Sequence, residues 1–342
     1  MILNIIWAGY CPSQENINTN YVIMKIYISR KIPSEVLLHI GQSGLEVHYN
    51  DSETLPERSV FIRNCQQADL LLNVGMAQLD AGFMEACSNL KGIALTSVGY
   101  DHVDLEAAAR NGIPVSNTPG VLSRTTAETA FLLMLATSRK AFFRAGEVQR
   151  GEWKKFGFLH ELGIEISGKT LGIFGLGRIG IEMARMSRAA FGMDIIYHNR
   201  SRNLQGEKEL RAVYVSFEEL LERSDVLSVH TNLTPETRYM FNRNSFARMK
   251  PTAIFINTAR GKVHREPDLI RALKDGLIWG AGLDVTDPEP MQPDNPLLQM
   301  PNVCVLPHIG SATIETRTAM AQMAADNLLA VYRGEKMPQE VG

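Results

Sequence analysis

From Met24 onward, short continuous apolar runs alternate with stretches whose apolar residues recur at helical spacing. KIYIS (25–29) precedes PSEVLLHIGQ and LEVHYN (45–50), and PERSVFIRNC leads into DLLLNV (69–74). LDAGFMEACS, GIALTS (92–97), VDLEAAARN and IPVSN (113–117) follow. Repeated strand–helix–strand order predicts a parallel sheet with helices on both faces.

The pattern breaks at Thr118-Pro119-Gly120. A capping box, Thr125-x-x-Glu128, is expected to open a helix that runs to about Gln149 and stops at Arg150-Gly151. A second series begins at Thr170: LGIF, DIIYHN, AVYV, DVLSVH, AIFIN, IWGAGLDV and VCVL. The chain then closes with one long amphipathic helix, which packs most economically back on the first domain. The expected organisation is α/β, with two doubly wound parallel-sheet domains. The first covers 24–120 and 308–342, the second is nested over 121–307, and a cleft lies between them. Residues 1–23 read as an N-terminal extension, whose apolar start lacks the basic segment of a signal peptide.

Three glycines stand between the run LGIF and the helical IEMARMSRAA: Gly175, Gly177 and Gly180. In that setting Gly175 permits the strand-to-helix turn, Gly177 lets backbone approach a pyrophosphate, and Gly180 lets helix pack close to sheet. The helix N-terminus then offers free N–H groups to the phosphates. The next strand ends Tyr197-His198-Asn199-Arg200-Ser201-Arg202, without the carboxylate that would hold the ribose 2′-OH of NAD. Asp194 falls at the start of that strand instead. Two guanidiniums suit a 2′-phosphate, which favours NADP(H), with NAD(H) as the alternative.

Three further segments end strands on the same side: Asn257-Thr258-Ala259-Arg260-Gly261, Asp284 to Glu289-Pro290, and Pro307-His308-Ile309-Gly310-Ser311. Reduction of a ketone needs a proton donor, and histidine serves near neutral pH. A carboxylate beside it stabilises imidazolium, and an arginine can anchor an acid group and polarise a carbonyl. Residue types alone leave Asp287 and Glu289 both open as the partner of His308, and leave Arg260 readable as a surface ion pair.

Composition removes several classes. A formal net charge of −2 leaves no basic footprint for nucleic acid or an anionic membrane. The run Ala130–Ala136 falls far short of the ~18 residues a membrane span needs. Cys11, Cys65, Cys87 and Cys304 form no C-x-x-C pair and suit the reduced thiols of a cytoplasmic protein. No metal is expected: His160-Glu161 lacks a second histidine at the needed spacing, and Asp101-His102-Val103-Asp104 belongs to a turn.

From Met24 almost to its end the chain resembles the D-isomer-specific 2-hydroxyacid dehydrogenases. The resemblance is carried by SVGYDHVD (97–104), TTAET (125–129), GLGRIG, INTARG (256–261), GLDVTDPEP (282–290) and LPHIGSAT (306–313). Within the family it is most similar to the glyoxylate/hydroxypyruvate reductases. The resemblance implies a flavodoxin-like substrate domain and a Rossmann domain that forms homodimers. It implies Arg260 as substrate anchor, His308 as acid/base and Glu289, which directly precedes a proline, as the partner of His308. The N–H groups of Val98 and Gly99 would receive the substrate carboxylate, with Val74 and Gly75 lining the same pocket. Cofactor contacts would come from Gly175, Gly177, Arg178, Ile179, Gly180, Asn199, Arg200, Ser201, Arg202, Asn232, Thr258, Asp284 and Gly310, with Thr126 near the nicotinamide. The implied partner is a small 2-oxo or 2-hydroxy acid, and the Gly151–Phe156 loop is a candidate to cross to a second subunit.

His264 and Arg265 depart from the acidic or amide residues that many relatives carry after the arginine turn. The alternatives are a dehydrogenase for another acid (2-ketogluconate, pyruvate or phosphoglycerate) and a dinucleotide-sensing, corepressor-like binding protein. A phosphoglycerate enzyme would favour an acidic residue near Asn199, and a formate enzyme a glutamine in place of Glu289.

Overall fold

The computed structural model describes residues 23–342 and the backbone of Leu3–Asn4. Of the expected extension over 1–23, only that dipeptide and Ile23 fall among the described residues, and Cys11 does not. The chain divides into two compact units, Met1–Val121 with Thr313–Gly342, and Leu122–Ala312.

The first unit carries β1 (Leu3–Asn4), β2 (Lys25–Ile28), β3 (Glu46–Tyr49), β4 (Leu70–Asn73), β5 (Gly92–Leu95) and β6 (Val115–Ser116). Its sheet runs β1-β3-β2-β4-β5-β6, closed by the terminal strand Glu340–Val341. The two outermost strands pair antiparallel and the rest parallel. All four residues of β4 and of β5 are buried, as continuous apolar runs must be when helices cover both faces. Asp80 and Asp104 begin their helices by accepting the N–H groups of Phe83 and Ala107 at 2.9 and 2.8 Å. The last helix, Ile314–Tyr332, lays Ala321, Ala324, Ala325 and Leu328 against Ile26, Ile28, Leu70 and Leu72 of this sheet.

The second unit holds β7 (Thr170–Phe174), β8 (Asp194–His198), β9 (Val213–Tyr214), β10 (Val226–Val229), β11 (Ile254–Asn257), β12 (Gly280–Leu283) and β13 (Val303–Val305). These are parallel throughout, in the order β13-β12-β11-β10-β7-β8-β9. The order reverses at β7, where the doubly wound dinucleotide fold opens its crevice. Both units are therefore α/β with doubly wound parallel sheets.

Three local expectations need correction. The chain returns to the first unit at Thr313 rather than at 308. The reason is that the N–H groups of Ile309 and Gly310 are held by Asp284 of the second unit. The capping box does not form: the helix starts at Ser123 behind Leu122, with no side-chain cap. Glu128 instead pairs with Arg124 one turn back, at 3.1 Å. The helix also stops at Ser138, because Lys140 takes a left-handed φ of 52° before a second helix, Ala141–Gln149.

Gly180 shows what close helix–sheet packing requires. A Cβ there would overlap the Gly175 carbonyl and press on Ile173 Cγ2 at 3.0 Å, whereas nothing lies within 4 Å of one on Gly177. Gly180→Ala is therefore expected to lose about 1–3 kcal/mol in urea unfolding. Gly177→Ala should stay within about 0.5 kcal/mol of wild type. Equal losses at the two positions would contradict the packing argument.

Candidate active site

The glycine loop joins β7 to the helix Arg178–Phe191. Gly175 takes φ +102° against the His230 carbonyl, a position closed to any Cβ. Gly177 caps the helix with no side chain and is exposed, so the first N–H groups of the helix stay available to an anion. Ile179 packs on the core behind them, and Arg178 is exposed. These features fit a dinucleotide pyrophosphate.

The segment after β8 braces that loop. Asn199 Oδ1 accepts the Leu176 N–H at 2.6 Å, and Asn203 Nδ2 donates to the Leu176 carbonyl at 2.8 Å. Arg202 is already engaged: its Nε and Nη2 donate to the two oxygens of Glu207 at 2.9 and 2.6 Å. The Tyr197 hydroxyl donates to the same carboxylate at 2.6 Å. Arg202 and then Tyr197 hold the Glu207 carboxyl down to about 2. Arg200 and Ser201 are exposed, and among the described residues Arg200 makes no hydrogen bond or ion pair, although its charge reaches Glu236. Sequence reasoning missed Glu207, and its place five residues after Arg202, across the start of a helix, was the available signal. Asn232 is exposed and accepts the Thr237 hydroxyl through its carbonyl at 2.7 Å.

The polar side chains gather at the carboxyl ends of β11, β12 and β13. Asn257 organises the turn after β11, accepting the Ala259 N–H at 2.9 Å and donating to the Arg260 carbonyl at 2.9 Å. Thr258 is buried, and its hydroxyl has no partner among the described residues. Gly261 packs against the Thr286 carbonyl, which leaves no room for a Cβ and pins the two turns together. After β12, Asp284 is 1% exposed and accepts Ile309 N–H at 2.8 Å and Gly310 N–H at 2.7 Å. Burial raises its carboxyl, against the pull of those donors and of His308. Thr126 borders the same spot, 3.3 Å from where a Gly310 Cβ would stand.

This clamp holds His308 at a left-handed φ of 55°, a conformation a non-glycine residue adopts only when its surroundings impose it. Its Nδ1 meets Glu289 Oε1 at 2.5 Å, and its side chain remains 37% exposed. Burial pushes the Glu289 carboxyl up, but the hydrogen bond and charge of His308, with help from Thr286 N–H and Arg260, hold it below the usual range. Asp287 is occupied elsewhere, accepting the Tyr239 hydroxyl at 2.9 Å. The structure thus brings Arg260, Glu289 and His308 together and sets Asp287 apart.

In the first unit, the Val74 N–H is taken by the Ser29 hydroxyl at 2.8 Å, while Gly75 turns with φ +96°. The carbonyls of Val98 and Gly99 are tied to Asn117 Nδ2 and Ser97 Oγ, each at 2.8 Å. Their N–H groups have no acceptor among the described residues. Among the described residues no group of three or more His, Cys, Asp or Glu side chains is arranged to hold a metal, and no helix is long and apolar enough to cross a membrane.

Residues 131–310 match the family "D-isomer specific 2-hydroxyacid dehydrogenase, NAD binding domain". The chain belongs to that family. A glyoxylate reductase of Korarchaeum cryptofilum is 42% identical over 322 residues, covering 93% of this chain and 95% of that one. A crystal structure of a glyoxylate reductase from Paecilomyes thermophila superposes with TM-score 0.83 at 34% identity, over 94% and 98% of the two chains. An NADPH-dependent glyoxylate/hydroxypyruvate reductase of Sinorhizobium meliloti, in complex with NADP and malonate, gives 0.81 at 33%, over 93% and 97%. This 2-hydroxyacid dehydrogenase is therefore an NAD(P)-dependent oxidoreductase with a Rossmann domain, similar to enzymes that reduce a 2-oxo acid.

The departure at His264 has a structural place in the dehydrogenase. The imidazole is fully buried beneath the arginine turn, with Nδ1 3.0 Å from the Asn257 amide. Burial lowers its pKa from 6.5 to about 4, against the charge of Asp287. Between those values the unfolded chain binds a proton that the native chain refuses, so acid favours unfolding. Stability from this group is complete above 6.5 and falls as pH drops toward 4. His264→Asn should flatten the decline in urea stability over that interval by up to about 1.4 kcal/mol per pH unit. A variant with the wild-type slope would remove His264 as its source.

Proposed function

We propose that the protein is a cytoplasmic reductase that converts a small 2-oxo acid, glyoxylate or hydroxypyruvate, to the D-2-hydroxy acid with NADPH as the preferred cofactor. The observation that carries this reading is the 2.5 Å pairing of His308 with Glu289, beside the charge of Arg260 at the ends of parallel strands. With Nδ1 committed to Glu289, Nε2 is the ring nitrogen left to protonate the substrate oxygen. Glu289 stabilises the imidazolium between turnovers. Arg260 orients the acid and polarises the carbonyl, the Val98 and Gly99 N–H groups receive the carboxylate, and Val74 and Gly75 line its surroundings. The bound nicotinamide would supply the hydride to C2.

The cofactor preference rests on the end of β8. Asn199 puts an amide where a carboxylate would meet a ribose 2′-OH and spends its oxygen on the glycine loop, while the nearby Glu207 carboxylate is taken up by Arg202 and Tyr197. Among the described residues Arg200 is exposed and has no ion pair, and Arg202 engages Glu207 through Nε and Nη2 and leaves its Nη1 edge open. Backbone N–H groups at Arg178 and Ile179 would hold the pyrophosphate, which Gly177, its own N–H turned to the Gly175 carbonyl, lets approach closely. Gly175 and Gly180 shape that loop, while Ser201, Asn232, Thr258, Asp284, Gly310 and Thr126 frame the remainder of the dinucleotide.

Cofactor oxidation with glyoxylate and hydroxypyruvate should be faster with NADPH than with NADH. His308→Ala should lower kcat by about 10²–10⁴-fold, while Arg200→Gln should erase the NADPH advantage and spare NADH turnover. An NADH preference in the wild type would defeat the phosphate argument and leave the acid/base assignment intact. Turnover undiminished in His308→Ala would defeat that assignment.

The same reading includes a homodimer through the nucleotide-binding unit. Trp153, Phe156, Phe158 and Leu159 are 66–84% exposed on consecutive turns after the helix Ala141–Gln149, an apolar patch suited to a second copy. Sedimentation at micromolar concentration should give a dimer for the wild type and a folded monomer for Trp153→Ser/Phe156→Ser. An unshifted dimer would place the interface elsewhere.

A further inference from the structure

In the first unit the parallel strands run β3-β2-β4-β5-β6, so the crossovers leave β2 and β4 on opposite sides and open a crevice at their carboxyl ends. Arg30 stands at that point. Its backbone is fixed on both sides: Ser29 N–H donates to the Leu72 carbonyl at 3.1 Å and Lys31 N–H to the Ser52 carbonyl at 3.0 Å. The Ser29 hydroxyl also accepts the Val74 N–H at 2.8 Å, tying the end of β2 to the loop after β4. The guanidinium lies over Gly75, whose missing Cβ would stand 3.2 Å from both Cζ and Nη1.

Arg30 Nε is buried and has no hydrogen-bond partner, and no carboxylate pairs with the side chain among the described residues. A partly desolvated cation without an anion is unfavourable. An acidic ligand at the crevice relieves that cost.

We propose that Arg30 forms an anion subsite for a second acidic group of the substrate, so that the enzyme accepts 2-oxo dicarboxylic acids. The inference rests on the reading that the Val98 and Gly99 N–H groups hold the first carboxylate. Neighbouring strands stand ~4.8 Å apart, so two spacings separate the ends of β2 and β5. The Arg30 side chain crosses one of them to lie over Gly75 after β4, where its guanidinium is left for a second acid group once the Val98 and Gly99 N–H groups hold the first. The reaction is the same reduction: the C2 ketone gains hydride from the cofactor and a proton on oxygen, and the second carboxylate is unchanged.

The test compares oxaloacetate with glyoxylate in wild type, Arg30→Gln and Arg30→Lys, and measures succinate and propionate binding by calorimetry. Loss of a charge-assisted bond should raise KM for oxaloacetate by at least ~10-fold in Arg30→Gln. Its kcat should be little changed, KM for glyoxylate should stay within about threefold, and Arg30→Lys should recover part of the loss. Wild type should bind succinate more tightly than propionate, and Arg30→Gln should not. Equal rises in KM for both acids would assign Arg30 to the first carboxylate and overturn the proposal. So would no change in either, or no preference for succinate in the wild type. Arg30-dependent succinate binding without turnover of any 2-oxo acid would support the subsite while defeating the proposed activity.

Discussion

A buried carboxylate accepting two successive backbone N–H groups decides where the histidine stands. Asp284 sits at the end of β12, from which its oxygens reach Ile309 and Gly310 at 2.8 and 2.7 Å. Burying a carboxyl group disfavours its charge, and N–H donors offset that cost. The chain around them therefore has little freedom: His308 is held in the left-handed region, and a Cβ on Gly310 would press on Asp284 Oδ2 at 3.0 Å and Thr126 Cγ2 at 3.3 Å. Residues expected to touch the cofactor thus also carry the local architecture, and the two duties use different atoms. Each Asp284 oxygen accepts one clamp N–H and keeps a second lone pair, whereas the His308 ring meets Glu289.

The two sheets apply one topological rule with different chemistry. In the second unit the strand order reverses beside β7, and what fills the crevice is backbone: a glycine turn and uncapped helix N–H groups. In the first unit the reversal falls between β2 and β4, and what fills it is a side chain, Arg30 over Gly75. Both arrangements favour anions, but they read them differently. Backbone donors match a diffuse pyrophosphate, whereas a guanidinium matches a planar acid.

The fold was legible because its strands are continuous apolar runs and its turns are marked by glycine. The long terminal helix and its return to the first sheet follow from the same pattern. What stayed illegible depends on partners distant in sequence. Residue types leave Asp287 and Glu289 equivalent until the family resemblance chooses Glu289, and what separates them in the structure is contacts distant in sequence: Tyr239, 48 residues away, engages Asp287, while His308 engages Glu289. The capping box failed for a local reason: the helix begins at Ser123, which puts Thr125 inside it rather than at its cap. His264 could not be placed because its value lies in burial beneath a turn that the Asn257 amide holds together.

Arg202 shows how far residue type alone can carry an electrostatic argument. As a charge in the sequence it doubles the attraction for a 2′-phosphate. In the structure Glu207 takes two of its donors, and at any distance beyond the pair the charges largely cancel in solvent. The positive field at the end of β8 thus rests on Arg200, while Arg202 contributes geometry through the edge left free. Tyr197 and Asn203 extend the same network to Leu176 in the glycine loop. The end of β8 is therefore mechanically connected to the glycine turn through one set of hydrogen bonds.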